Sequence, residues 1–126
     1  MGKRNLRAMS PAETEVLSII WRLKHATVQQ IHKELSSSRQ VVYKTVLTLV
    51  RRLESKGYVK HRPAEKGNAH VYSPAVDHKD VVRRTVRDFL DRLFGGEAGP
   101  LVQFLAEDGL LGPKEAKRIK KIIDES

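Results

Sequence analysis

The sequence predicts a mainly α protein with one small β-hairpin, and three observations carry that expectation. Apolar residues recur at helical spacing over most of the chain, and two Ser/Thr-x-x-Glu/Gln signatures mark helix starts. A single basic stretch behind Gly57 switches to β-compatible residues around a Lys66-Gly67-Asn68 turn.

Ser10-Pro11-Ala12-Glu13 combines a Ser N-cap, a Pro at the first helical position and a Glu at the third, so a helix is expected to begin there. Ala12, Val16, Ile19, Ile20 and Leu23 continue its apolar stripe to about Lys24, with Trp21 at the edge. Thr27-Val28-Gln29-Gln30 is a second capping box, and Val28, Ile31 and Leu35 stripe a short helix that ends before Ser36-Ser37-Ser38. Helical periodicity resumes over 39–56 and stops at Gly57, where a left-handed residue is commonly needed. Segments 58–62 and 69–73 read as the two strands of a hairpin. Asp77 can cap a helix over 78–94 whose Val82, Val86, Phe89, Leu90 and Leu93 share one face, and Gly95-Gly96 breaks it. Two short helices are expected at about 98–107, with Leu101, Phe104 and Leu105, and at about 113–124, with Ala116, Ile119, Ile122 and Ile123.

Helix, helix, helix, hairpin is the order of a winged helix-turn-helix, and charge divides the chain at the same place. Residues 1–76 hold 14 lysines and arginines against 5 acids, whereas residues 77–126 hold 10 of each, so the net charge of +9 lies wholly in the first part. This predicts a polyanion-binding winged-helix domain over 1–76 and a helical domain of another task over 77–126. About 50 residues seldom bury three amphipathic helices unaided, so the second part is expected to dimerise. Its interface positions are Val82, Val86, Phe89, Leu90, Leu93, Leu101, Phe104, Leu105, Ile119 and Ile122.

On a helical wheel, Val42, Val46, Leu49, Val50 and Leu53 gather on the side that would pack on the first two helices. The opposite arc carries Gln40, Val41, Lys44, Thr48, Arg51, Arg52 and Ser55 and no acid, with Glu54 at the border. A merely solvated face would mix both signs. Because the N-terminal part of such a helix enters the major groove, Gln40, Val41, Lys44, Thr45 and Thr48 are the candidates for base edges and nearby phosphates. Arg51 and Arg52, further along, suit the DNA backbone. Arg62, Lys66 and His70 either set the hairpin against a flanking phosphate run or minor groove, or form a solvated basic turn.

Several function classes are disfavoured. With no cysteine there is no disulfide framework and no thiolate site, and no apolar run approaches the roughly 20 residues of a membrane span. Met1-Gly2-Lys3-Arg4 leads into no signal-peptide stretch, so a cytoplasmic protein is expected. No two of the five histidines stand at i, i+4 spacing, although His61 and His70 can face each other on the hairpin and His25 and His32 flank the second helix. The expectation is no metal, no cofactor and no catalytic site: P-loop, nucleophile-elbow and paired-carboxylate signatures are missing. A sequence-specific dimeric repressor, an architectural DNA-binding protein and a protein-interaction adaptor all remain compatible with the residues.

Ser10-Pro11-Ala12-Glu13 with Glu15-Val16-Leu17 and Ile20-Trp21, Ala26-Thr27-Val28, Tyr43-Lys44-Thr45-Val46 with Thr48-Leu49 and Arg52-Leu53, Lys56-Gly57, and Tyr72-Ser73-Pro74 resemble the penicillinase-repressor family of the BlaI/MecI/CopY type. The resemblance continues through residues 89–96 and Leu101-Val102. It implies a winged-helix homodimer that binds a dyad-symmetric operator and represses transcription, its C-terminal helices intertwined. It also implies that Lys44, Thr45, Thr48 and Arg52 face DNA. In antibiotic-responsive members of the family, a sensor protease triggers cleavage of an Asn-Phe bond, and Gln103-Phe104 stands at the matching place. The copper-responsive members use a cysteine-rich hook that this chain lacks, and Val41 stands where the antibiotic-responsive branch carries an aromatic.

Overall fold

The computed structural model describes residues 6–125. Met1–Arg4, and the side chain of Ile123, expected on the apolar face of the last helix, lie outside the described part. The elements are α1 (Pro11–Leu23), α2 (Val28–Ser36), α3 (Tyr43–Ser55), β1 (Val59–Pro63), β2 (His70–Pro74), α4 (His78–Phe94), α5 (Ala98–Glu107) and α6 (Pro113–Glu125). The fold is a winged helix-turn-helix followed by three helices. Two compact units divide the chain, Met1–Asp80 and Val81–Ser126.

Both capping boxes form. The Glu13 N–H donates to Ser10 Oγ at 3.1 Å while the Ser10 N–H donates to Glu13 Oε1 at 2.7 Å, and Thr27 with Gln30 repeats the arrangement. Each satisfies two of the amides that a helix start leaves without an intrahelical partner. At the other end of α3, Gly57 adopts φ 91°, the Tyr58 N–H donates to the Leu53 carbonyl at 2.9 Å and the Gly57 N–H to the Glu54 carbonyl at 3.0 Å. That Schellman turn sends the chain from α3 into the hairpin.

The core of the first unit joins Val16, Leu17, Ile19 and Ile20 of α1, Val28, Ile31 and Leu35 of α2, and Val46, Leu49, Val50 and Leu53 of α3, under Tyr58, Val59 and Tyr72. In the antiparallel hairpin Val59 pairs with Pro74, His61 with Tyr72 and Pro63 with His70. Ala26 forms an isolated bridge to Tyr72, with reciprocal N–H to carbonyl bonds of 2.8 Å. The hairpin is thereby tied to the segment between α1 and α2.

Two expectations at the start of α3 are corrected. The helix begins at Tyr43 rather than at residue 39, because Val42 is extended (φ −84°, ψ 149°) and acts as the N-cap. Val42 is consequently 65% exposed instead of packing with the core face. A wheel drawn back through a residue that is not helical puts its side chain on the wrong side.

Candidate nucleic-acid interface

Helix α3 separates its faces sharply. Val46, Leu49, Val50 and Leu53 are buried, while Lys44, Thr45, Thr48, Arg51, Arg52 and Ser55 are exposed. Gln40 is exposed and Val41 half-buried, both in the turn before the helix rather than on it. Lys44, Arg51 and Arg52 form no ion pair among the described residues, so their charge is available to an external anion. The Thr48 hydroxyl donates to the Lys44 carbonyl at 3.0 Å, which leaves its oxygen lone pairs and its methyl group to a partner.

Glu54, Glu15 and Glu13 each have a partner within the fold. Glu54 accepts a hydrogen bond from His61 Nδ1 of β1, which ties the hairpin to α3. Glu15 pairs with Arg39 at 2.7 Å, joining α1 to the turn. Glu13, almost fully buried, pairs with Lys56 at 2.7 Å. Burial pushes the Glu13 carboxyl up, but hydrogen bonds from Lys56 and Ser10, with the Lys56 charge, hold it below the ordinary carboxylate value. Burial, with Glu54 nearby, raises the Tyr72 phenol.

On the hairpin, Arg62 and Lys66 are exposed as the sequence suggests. Strand alternation adds Lys60, which shares a face with Arg62, whereas His61 lies on the Tyr72 side with His70. The period-2 pattern held the signal for Lys60. The His61 and His70 rings stack at 4.5 Å on one face, offset by two residues in the register rather than opposite each other. Among the described residues no three His, Asp or Glu side chains converge on a metal position.

In the second unit, Val81 is the one buried residue among those described. Val82, Val86, Phe89, Leu93, Phe104 and Ile122 are exposed, and Leu90, Leu101, Leu105 and Ile119 are half-buried. Leu110 follows α5, outside any helical stripe that spacing could mark, and adds a further apolar side chain that is 61% exposed. Gln103 and Phe104 are both exposed on α5, and Gln103 Nε2 donates to Glu107 Oε1 at 3.0 Å. No described helix is long and apolar enough to cross a membrane.

Three helices, a hairpin behind the third, and an acid-free polar face on that helix define a winged helix-turn-helix protein of the DNA-binding, transcription-regulating class. Comparison with known proteins narrows the class. The penicillinase repressor family matches residues 9–125, and the chain belongs to that family. A penicillinase repressor of Staphylococcus aureus is 32% identical over 117 residues, covering 93% of this chain and 91% of the relative. The solved DNA-binding domain of the repressor BlaI is 32% identical, with a TM-score of 0.53, over 62% of this chain and 93% of that domain. The monomeric form of Bacillus licheniformis BlaI, solved in complex with the blaP half-operator, is also 32% identical, with a TM-score of 0.51 over the same shares.

Proposed function

We propose that this protein is a homodimeric transcriptional repressor that reads a dyad-symmetric operator in double-stranded DNA, one α3 helix per half-site. The observation that carries the reading is the exposed, acid-free arc of Lys44, Thr45, Thr48, Arg51 and Arg52 on a helix whose other face is buried. The family supports it, and so does the half-operator complex of the Bacillus licheniformis relative. Gln40, Val41, Lys44, Thr45 and Thr48 are assigned to base edges and the nearest phosphates. Arg51 and Arg52 are assigned to the DNA backbone, and Arg62 and Lys66 to flanking phosphates.

The homodimer is supported by the apolar faces of α4, α5 and α6, which a single chain leaves open at Val82, Val86, Phe89, Leu93, Phe104 and Ile122. Leu90, Leu101, Leu105 and Ile119 complete the assigned interface, and the domain limits are taken as 1–76 and 77–126. Joining two half-site contacts raises affinity by up to about 10²–10⁴ through effective concentration. A protease cut between Gln103 and Phe104 would divide this interface without touching the DNA surface. A sensor protease is therefore the partner assigned to induction. The reading contains no catalytic step, cofactor or metal, and assigns the protein to the cytoplasm.

The test is selection from a pool of randomised duplexes by the full chain, with sedimentation of the complex. Enrichment of a two-fold symmetric sequence bound by two chains is the expected result. Equal retention of all sequences would point to an architectural role, and failure to bind duplexes would point to a protein partner; either outcome overturns the proposal.

A further inference from the structure

We infer that His32, on the helix before the recognition helix, is a positioning residue for base readout, holding the turn that carries Gln40 and Val41 in register with α3. The inference rests on the operator-binding reading above. Residues 37–39 are fastened to the end of α2: the Ser37, Ser38 and Arg39 N–H groups and both serine hydroxyls donate to the Glu34 and Leu35 carbonyls. Tyr43 starts α3. Gln40 and Val41 lie between these anchors, outside any helical ladder, and the N-cap Val42, whose carbonyl accepts from the Thr45 and Val46 N–H groups, supplies no side-chain cap bond.

Among the described residues, the one hydrogen bond from another element to the backbone of Gln40 or Val41 is made by His32. Its Nε2 lies 2.7 Å from the Val41 carbonyl oxygen. A carbonyl only accepts, so Nε2 carries the proton and donates. The same ring meets Tyr43, the first residue of α3, edge-on at a centroid distance of 5.9 Å. One side chain on α2 thus grips the last stretch of the turn and the first residue of the helix that follows. On the other side, Arg39 is held by Glu15 of α1 at 2.7 Å, so the neighbours of Gln40 are fixed from both directions.

Base readout depends on this more than phosphate contact does. A glutamine amide discriminates bases only when its donor and acceptor meet the base edge together, a demand that tolerates little displacement. Lys44, Arg51 and Arg52 ride on α3, and their attraction for phosphates survives small shifts. Loss of the His32 grip is therefore expected to erode discrimination while sparing nonspecific affinity.

The experiment uses the full chain. Randomised duplexes are selected with the parent, and the enriched duplex is titrated against versions altered one base pair at a time. His32→Ala should lose about tenfold in preference at the base pairs nearest Gln40 and Val41, the scale of one base contact. Affinity for an unselected duplex, the salt dependence and the melting temperature should stay close to the parent. His32→Gln, which keeps an amide donor, should recover most of the preference, and His32→Leu, which keeps bulk alone, should not. The inference is overturned if His32→Ala keeps the parent's base preferences. It is equally overturned if specific and nonspecific affinities fall together with the melting temperature, which would mark a merely structural role. A parent that enriches no sequence would sink the operator reading itself, and the role of His32 with it.

Discussion

Exchanging Lys56 for methionine keeps most of the side chain's length and removes the cation facing Glu13. Glu13 is 1% exposed; its Oε1 accepts from Lys56 Nζ and from the Ser10 N–H, each at 2.7 Å, and its Oε2 is buried with no hydrogen-bond partner among the described residues. In Lys56→Met the carboxylate would retain the Ser10 amide alone. Breaking a buried pair from one side costs about 3–5 kcal/mol, because the remaining charge is left uncompensated. The Lys56 side chain is 20% exposed, so water can replace part of it. The lower end, about 3 kcal/mol, is the expected loss. Thermal unfolding at fixed protein concentration near neutral pH should then show a midpoint lowered by about 10 °C. Adding Glu13→Gln to the variant should return part of the loss, since a neutral amide is cheaper to bury than a carboxylate.

Acid sharpens the test. In the parent the folded-state Glu13 carboxyl lies below its ordinary value, so its contribution is present above that value and is lost as pH falls through the lowered one. In Lys56→Met burial is no longer opposed by a cation, and the folded-state value rises. The variant's penalty is then relieved once the carboxyl takes up a proton. The gap between the two proteins should therefore narrow on acidification. A gap below about 1 kcal/mol at neutral pH, within the range of ordinary substitutions, or one that stays constant as pH falls, would refute the reasoning.

Lys44→Ala and Thr48→Ala should each weaken binding to the selected duplex by about 1–3 kcal/mol and relax base preference, whereas Arg52→Ala should weaken specific and nonspecific binding alike and flatten the salt dependence, all read by titration at several salt concentrations. Leu53→Ala should cost about 2–5 kcal/mol by urea unfolding. Val42→Ala, at an exposed position, should change stability by less than about 0.5 kcal/mol, and a large loss there would contradict the extended N-cap. Gly57→Ala forces a side chain into a φ of 91° and should cost about 1–2 kcal/mol in the same assay. A chain ending at Asp80, the limit of the first compact unit, should sediment as a folded monomer with weak, strongly salt-sensitive DNA affinity. Sedimentation of that truncation as a dimer would remove the role assigned to α4–α6.

Most of the helices were legible in the sequence because their signals are local. Ser10 and Thr27 with their partners three residues on mark α1 and α2, Gly57 marks the end of α3, and apolar spacing marks the face each helix buries. The polar arc of α3 was legible for the same reason, since Lys44, Thr48, Arg51 and Arg52 are helical and their faces follow from the period alone. The start of that helix was not. Residues 39–42 carry a helix-compatible pattern, and nothing nearby announces the extended Val42, whose cap lacks a side-chain bond. There the Val41 carbonyl meets His32 of α2 and the Arg39 side chain meets Glu15 of α1, partners that no helical period announces. The Ala26–Tyr72 bridge and the Glu13–Lys56 pair are likewise tertiary. A one-residue bridge has no period, and two charges 43 residues apart become partners only when packing removes both from water. Spacing along the chain thus determined which residues share a helix face, while the register of the turn, the seat of the hairpin and the pairing of buried charge were decided by contacts that exist only once the helices have come together.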